Sequence, residues 1–387
     1  MAKDPLRNEL IRNALQASPL HALVVFSPVD VLLLTGYWPI MGASAAVFER
    51  EGRVTVLLPE DELDLAQATT AADLVPYRPS TLHTLHTPAQ ALVEPLKALS
   101  TRLNVSPGKV GTALHDGSQP SPYLSSHHFR HTVSSLVTEV CPGAEVVAAD
   151  DLLERLRSVK TPVEIDLIRR ACDRAQAGFD CAPQAIAAGR REDEVAAEIE
   201  AAFARVANDG FERGDGRFFC MSGPNSFKAA AAFARTRRRK LEPGDLVMIH
   251  ANTTGDGYWT DITRTYVVVP ANSRQQAQQA AIAEARATAL QAIAPGVAAK
   301  EVDAAARNVL TRHGFGDAFK HATGHGVGFA AADSGAHPRL HPASPDILEP
   351  GMTFNVEPAI YIEATGGMRH CDVVACTSTG AQVLTSF

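Results

Sequence analysis

A chain of 387 residues with 45% hydrophobic residues has enough apolar mass for two cores and is too apolar for bulk disorder. Its formal net charge of -7 excludes a protein built mainly to hold a phosphate backbone, which needs clustered Lys and Arg, so no nucleic-acid partner is expected. The most apolar run, Ala22–Gly36, is interrupted by Ser27, Pro28 and Asp30, and Met1–Leu10 lacks the apolar stretch of a signal peptide, so no membrane partner and a cytoplasmic location are expected.

In chain order, Ala22–Phe26, Asp30–Gly36, Ser44–Arg50 and Val54–Pro59 read as strands, Leu6–Gln16 and Ala89–Leu103 as helices, and Ser80–Pro88 and His127–His131 as loops. That alternation suits an α/β domain over residues 1–152. A long helix then begins at Pro162, with Thr161 as N-cap and Glu164 completing a capping box. A second helix covers Glu192–Val206. From Gly244 strands dominate, with helices at Ser273–Ile293 and Ala299–His313, so residues 153–387 read as an α+β domain. Cys141, Cys172, Cys181, Cys220, Cys371 and Cys376 form no CxxC or disulfide-scaffold spacing and are expected as reduced thiols.

Two hairpins carry the chemistry. In GDLVMIHANTTGDGYWTDITRTY (Gly244–Tyr266), Gly255–Asp256 suits a two-residue turn of the primed type. Counting outwards pairs Thr254 with Gly257, Asn252 with Trp259, and His250 with Asp261. In the second hairpin, Met352–Ile362 returns as Met368–Cys376 around Thr365. That register sets Glu357 opposite Val373 with Cys371 diagonal to it, and a slightly different loop makes the Glu357–Cys371 pair direct. Between them lies HATGHGVGF (His321–Phe329), where glycines let the backbone approach closely and present His325. His, Asp, Glu and Cys from three elements form a metal-site hypothesis, against which stands the ordinary reading of a strand histidine or cysteine as a core residue.

With TDITRTY, HATGHGVGF, FNVEPAIY and GGMRHCDVV in this order, preceded by DVLLLTGY and RSVKTPVEIDLIRRA, the sequence resembles the pita-bread metallopeptidases, in the branch of prolidase, proline-specific aminopeptidase and creatinase. The resemblance covers nearly the whole chain. It implies an α+β pita-bread catalytic domain preceded by a smaller α/β creatinase-like N-terminal domain. The family typically holds two divalent ions with two Asp, one His and two Glu. The second Asp matches Asp261, the His matches His325 and the first Glu matches Glu357, whereas the first Asp falls at His250 and the last Glu at Cys371. Both replacements are of metal-binding types, and imidazole and thiolate suit zinc better than manganese. One zinc is therefore expected first, with two zincs or a metal-free site behind it. A catalytic zinc keeps an open position, so three or four of the five residues are expected to bind; a bound Cys371 would be a thiolate.

The resemblance also implies roles. Glu357 is expected as general base, and His321, which matches a retained pocket histidine, as donor to the developing oxyanion. His337 and His341 are expected to refill the substrate pocket, and Arg369, with Lys228, Arg264 and Arg339 as alternatives, to clamp a substrate carboxylate. Ala229–Ala230 and Ala332 stand where proline-specific members carry histidines, so proline specificity does not follow. The activity implied is exopeptidase hydrolysis of short peptides. A carboxypeptidase, a metal-free creatinase-like C–N hydrolase and an inactive binding protein are the alternatives. Small domains of relatives often dimerise, so a homodimer is expected.

Overall fold

Ser27, Pro28 and Gly36 make a helix of the run Asp30–Gly36 that was expected as a strand. The Ser27 hydroxyl accepts the Asp30 N–H at 3.1 Å, Pro28 takes the first helical position, and Gly36 closes the helix at φ 76°. Val31, Leu32, Leu33 and Leu34 are all buried, and a short continuous apolar run does not distinguish a strand from a buried helix.

The structure is a computed structural model that describes residues 4–39, 44–78, 88–103, 108–114, 130–206, 210–231, 235–333, 335–385 and 387. The chain divides into two compact units, Met1–Arg157 and Ser158–Phe387. The first contains α1 (Pro5–Gln16), β1 (Ala22–Val25), α2 (Pro28–Thr35), β2 (Ala45–Glu49), β3 (Val54–Pro59), α3 (Leu63–Thr69), β4 (Asp73–Tyr77), α4 (Pro88–Leu103), β5 (Lys109–Thr112), α5 (Arg130–Val140) and β6 (Glu145–Ala148). Its sheet runs β4-β3-β2-β1-β5-β6, antiparallel in the middle and parallel toward both edges. Val24, Val47 and Leu57 pack there with Leu92, Leu96 and Val137 of the helices. The expected loops Ser80–Pro88 and His127–His131 lie outside the described residues, apart from Pro88, which opens α4, and Arg130 and His131, which open α5. The expected division at 152/153 falls inside α6 (Asp150–Ser158).

The second unit contains α7 (Pro162–Ala185), α8 (Glu192–Ala204), β7 (Gly214–Ser222), α9 (Pro224–Phe227), β8 (Leu246–Gly255), β9 (Tyr258–Trp259), β10 (Ile262–Val267), α10 (Ser273–Ala292), α11 (Ala299–Arg312), β11 (Thr353–Val356), β12 (Ala359–Ile362), β13 (Gly366–Arg369), β14 (Asp372–Thr377) and β15 (Gly380–Val383). Thr161 and Glu164 form the expected capping box of α7. Strands order as β10-β8-β7, with β9 on β8, as β11-β14-β15 and as β12-β13. Small residues on α10 and α11, Ala281, Ala285, Ala289 and Ala306, bring the helices close to Met248, Phe354, Ile360 and Val374 of the strands.

The first hairpin's register differs from expectation, and the second takes the alternative loop in which Glu357 and Cys371 pair directly. In the first, Asp256 at φ 48° and Gly257 at φ 87° form the turn, one residue later than Gly255–Asp256. A type I′ turn needs positive φ at both central residues, and Asp tolerates it. The Asp256 carboxylate also accepts the N–H groups of Arg213 (2.8 Å) and Glu212 (3.2 Å), which fixes it there. Thr254 then pairs with Trp259 and His250 with Thr263. In the second hairpin Ala359 pairs with Arg369 and Val356 with Asp372, so the interrupted ladder sets Glu357 opposite Cys371, not Val373. Each correction is an even shift in pairing, so each side chain keeps its expected face.

Asp372 ties this unit together. Its carboxylate accepts from Arg264 Nη2 at 2.9 Å, from Thr385 Oγ1 at 2.8 Å and from Arg286, with His370 Nε2 at 3.3 Å. Burial alone would raise its pKa, but His370, Arg264 and Arg286 hold the carboxyl well below the usual range. A depressed folded-state pKa gives stability that is present above the unfolded value of about 4 and is lost as pH falls. Asp372→Asn is expected to lower the unfolding free energy by about 3–5 kcal/mol at pH 7. In urea titrations the gap between wild type and variant should narrow as pH falls below about 4, toward the depressed folded-state value; a gap that stays constant with pH would refute this.

Candidate active site

Three elements meet around two backbone hydrogen bonds. Thr263 N–H donates to the Cys371 carbonyl at 3.3 Å and Cys371 N–H to the Thr263 carbonyl at 3.0 Å, joining the two hairpins. The His321–Phe329 segment runs beside β11, with Glu357 N–H on Thr323 O (2.8 Å) and Asn355 N–H on His325 O (3.0 Å). Gly324 is required by this approach, since a Cβ there would lie 1.9 Å from the Asn355 carbonyl oxygen. Asp303 of α11 accepts from Thr323 N (3.0 Å) and Oγ1 (2.8 Å), and Arg307, bound to Asp303, donates to the His321 carbonyl at 3.0 Å.

The five candidate ligands are brought together. Asp261 lies 3.5 Å from His250 Nδ1 and 3.4 Å from His325 Nε2, and Glu357 Oε1 lies 3.8 Å from His325 Nε2. Cys371, fully buried, has Sγ 3.2 Å from the Asp261 carbonyl and 3.9 Å from Asp261 Oδ1, and it accepts from Asn355 Nδ2 at 3.5 Å. Arg369 enters the same cluster. Its Nη2 is 3.0 Å from His250 Nδ1, its Nε donates to Thr263 Oγ1 at 3.1 Å, and its Nη1 faces Glu357 Oε2 at 3.5 Å.

Electrostatics follow from this crowding. Burial would raise the Asp261 carboxyl, but His250 and His325 hold it below the usual range. Burial would lower His325, but the hydrogen bond to Asp261 and the charge of Glu357 push it up to about 9. His250 is lowered by burial, and the Cys371 thiol is pushed well up by burial and by the charges of Asp261 and Glu357.

Ligands of one tetrahedral zinc, at about 2.0–2.3 Å from the ion, stand roughly 3.3–3.8 Å from each other. The separations of 3.5 Å (His250–Asp261), 3.4 Å (Asp261–His325) and 3.8 Å (His325–Glu357) match those spans, and the mixed N, O and S donor chemistry fits one such ion. The contacts are pairwise, however: among the described residues, no group of three or more His, Cys, Asp or Glu is placed to hold an ion.

His321 joins the cluster through Tyr361, its Nε2 lying 3.0 Å from the Tyr361 hydroxyl, and Arg369 also hydrogen-bonds that hydroxyl. Its Nδ1–H donates to the Ala322 carbonyl at 2.7 Å, so in the neutral form that burial favours, Nε2 accepts from Tyr361. His337 and His341 lie in the loop that follows, with partners of their own. His337 Nδ1 is 3.1 Å from Asp346, and the exposed His341 accepts the Ala343 N–H at 3.0 Å. Arg264 and Arg339 are likewise engaged, on Asp372 and Asp346. Sequence reasoning missed Asn355, Thr263 and Tyr361. Each lies two or four residues from a chosen residue, Asn355 and Tyr361 from Glu357 and Thr263 from Asp261, and the two-residue strand period was the signal that could have found them.

Two bridged hairpins, backed by helices, gather Asp261, His325 and Glu357 in one cluster. The profile described as Metallopeptidase family M24 matches residues 166–378, and the Creatinase/Prolidase N-terminal domain matches residues 7–159. The chain belongs to metallopeptidase family M24. It is 36% identical over 236 residues to the Xaa-Pro dipeptidase of Pyrococcus furiosus, a match covering 61% of this chain and 65% of that protein, just under two thirds of its length. It is 34% identical over 282 residues to the probable dipeptidase PepE of Mycobacterium tuberculosis, covering 69% of this chain and 72% of the relative. The solved prolidase from Pyrococcus horikoshii OT3 superposes with a TM-score of 0.78 at 26% identity, covering 98% of both chains. Its fold is therefore the pita-bread domain preceded by the creatinase-like domain. Among the described residues, no helix is long and apolar enough to cross a membrane.

The Asp303–Thr323 contacts are what hold the histidine loop against α11. Asp303→Ala is expected to cost about 3 kcal/mol and to speed amide hydrogen exchange at Thr323 and Glu357. Unchanged exchange at both amides would refute it.

Proposed function

We propose that this chain is a metal-dependent exopeptidase that hydrolyses short peptides, with one zinc ion as its cofactor. The single observation that carries this reading is the gathering of Asp261, His325 and Glu357 in one cluster with separations of 3.4 and 3.8 Å. Membership of family M24 and the names of the relatives, Xaa-Pro dipeptidase and probable dipeptidase, support dipeptides as substrates. Asp261, His325 and Glu357 would hold the ion, with Cys371 as a further donor beside Asp261. Bound there, the ion would polarise the scissile carbonyl and lower the pKa of water toward about 7.

The chain's own residues supply the rest. Glu357 Oε1 would take the proton of the attacking water, while Oε2 stays turned to Arg369. His321 would donate to an oxyanion only when charged, which its burial disfavours, so its role in this reading is to hold the Tyr361 hydroxyl. Arg369, with Nη1 3.5 Å from Glu357 Oε2, would face an anionic part of the substrate. His337 and His341, engaged elsewhere, drop out of the substrate set. Ala229–Ala230 and Ala332 support a pocket that does not require proline. A homodimer in the cytoplasm completes the reading on family grounds.

The donors also satisfy one another, and no three stand around a common point among the described residues. That observation favours a second reading, a metal-free C–N hydrolase. Metal analysis of the purified protein is expected to give one zinc per chain, and chelation should abolish hydrolysis of dipeptides until zinc is returned. Full activity without any stoichiometric ion would overturn the metal-dependent reading. Glu357→Gln is expected to lower kcat by about 10²–10⁴-fold without loss of fold. Blocked and unblocked dipeptides, with and without proline, would show which end is attacked.

A further inference from the structure

We infer that His250 is a positioning residue rather than an ion ligand: it fixes the Arg369 guanidinium so that Arg369 orients the carboxylate of Glu357. The role of Glu357 rests on the proposed function; the contact chain His250–Arg369–Glu357 does not.

A neutral imidazole has one lone pair, and a guanidinium has only donors. With Arg369 Nη2 at 3.0 Å from His250 Nδ1, the lone pair lies on Nδ1 and is taken. The ring proton is then on Nε2, and the side chain of Asn252 hydrogen-bonds the ring. No lone pair remains for an ion. The ring is also held in plane, stacked on Phe219 at 5.9 Å and cross-strand paired with Thr263, whose Oγ1 lies 3.0 Å from Nδ1.

Arg369 is fixed from three sides. Its backbone exchanges hydrogen bonds with Thr265 Oγ1 (3.0 and 2.9 Å), its Nε donates to Thr263 Oγ1 at 3.1 Å, and His250 takes Nη2. The remaining terminal nitrogen, Nη1, faces Glu357 Oε2 at 3.5 Å, so Oε1 is the oxygen turned to His325. His250 and Arg369 are each 8% exposed, and a buried guanidinium that lost its acceptor would leave this place to regain one. His250 thus keeps the cation in register with Glu357.

The test uses His250→Leu, which has no lone pair, His250→Asn, whose Oδ1 can stand near the Nδ1 position, and His250→Gln, whose amide reaches past it. His325→Ala serves as the ligand control. In the purified proteins, all three His250 variants should keep wild-type zinc while His325→Ala loses it. His250→Leu and His250→Gln should lower kcat about 10-fold or more with KM within about twofold, and His250→Asn should recover to within about threefold. In crystal structures the guanidinium should withdraw from Glu357 in the Leu and Gln variants and stay in the Asn variant. Zinc loss in the His250 variants, to the extent seen for His325→Ala, would make His250 a ligand and overturn the inference. An unmoved Arg369 in both the Leu and Gln variants would overturn it as well. A wild type that hydrolyses no peptide overturns the proposed function alone, because the crystal structures still decide the position of Arg369.

Discussion

The backbone bridge between Thr263 and Cys371 is the constraint on which the site depends. Each hairpin alone presents two polar side chains to solvent or to a core. Joined at that bridge, the strand period turns Asp261 and Thr263 of one hairpin toward Glu357, Arg369 and Cys371 of the other. Asp372, one residue past the bridge, anchors it from below through Arg264, Arg286 and Thr385. A buried carboxylate with several charged donors resists sliding, because any shift strands a charge in low dielectric.

Within that frame the polar groups of the cluster pair with one another. Arg369 supplies positive charge to Glu357 and a donor to His250; His325 lies between Asp261 and Glu357; the Cys371 thiol lies against the Asp261 carbonyl. Burial makes every one of these pairings matter more than it would in water. The imidazole of His250 and the thiol of Cys371 each find protein partners there, Arg369 and Thr263 for the one, Asn355 and the Asp261 carbonyl for the other.

Much of the fold is local and was legible. Thr161, Pro162 and Glu164 start α7 by contacts three residues apart, and a cap needs nothing from the rest of the molecule. Asp30–Gly36 was misread because its central residues Val31–Leu34 are all apolar, so no period marks it; the signs of a helix stood at its ends, in Ser27, Pro28 and Gly36. The turn at Asp256–Gly257 was displaced by one residue because the deciding contacts, the N–H groups of Glu212 and Arg213, come from more than forty residues away in sequence.

For the site, sequence by itself determined which residue types meet and on which strand face. Faces follow from the two-residue period, and an even slip in register leaves them unchanged. What only the tertiary structure decided is who bonds to whom. His250 stands across from Thr263 and accepts from Arg369, while Glu357 stands opposite Cys371 with Arg369 on one oxygen and His325 near the other. A lone pair has one occupant at a time, and that occupant is set by distances between strands far apart in sequence, which no local pattern contains.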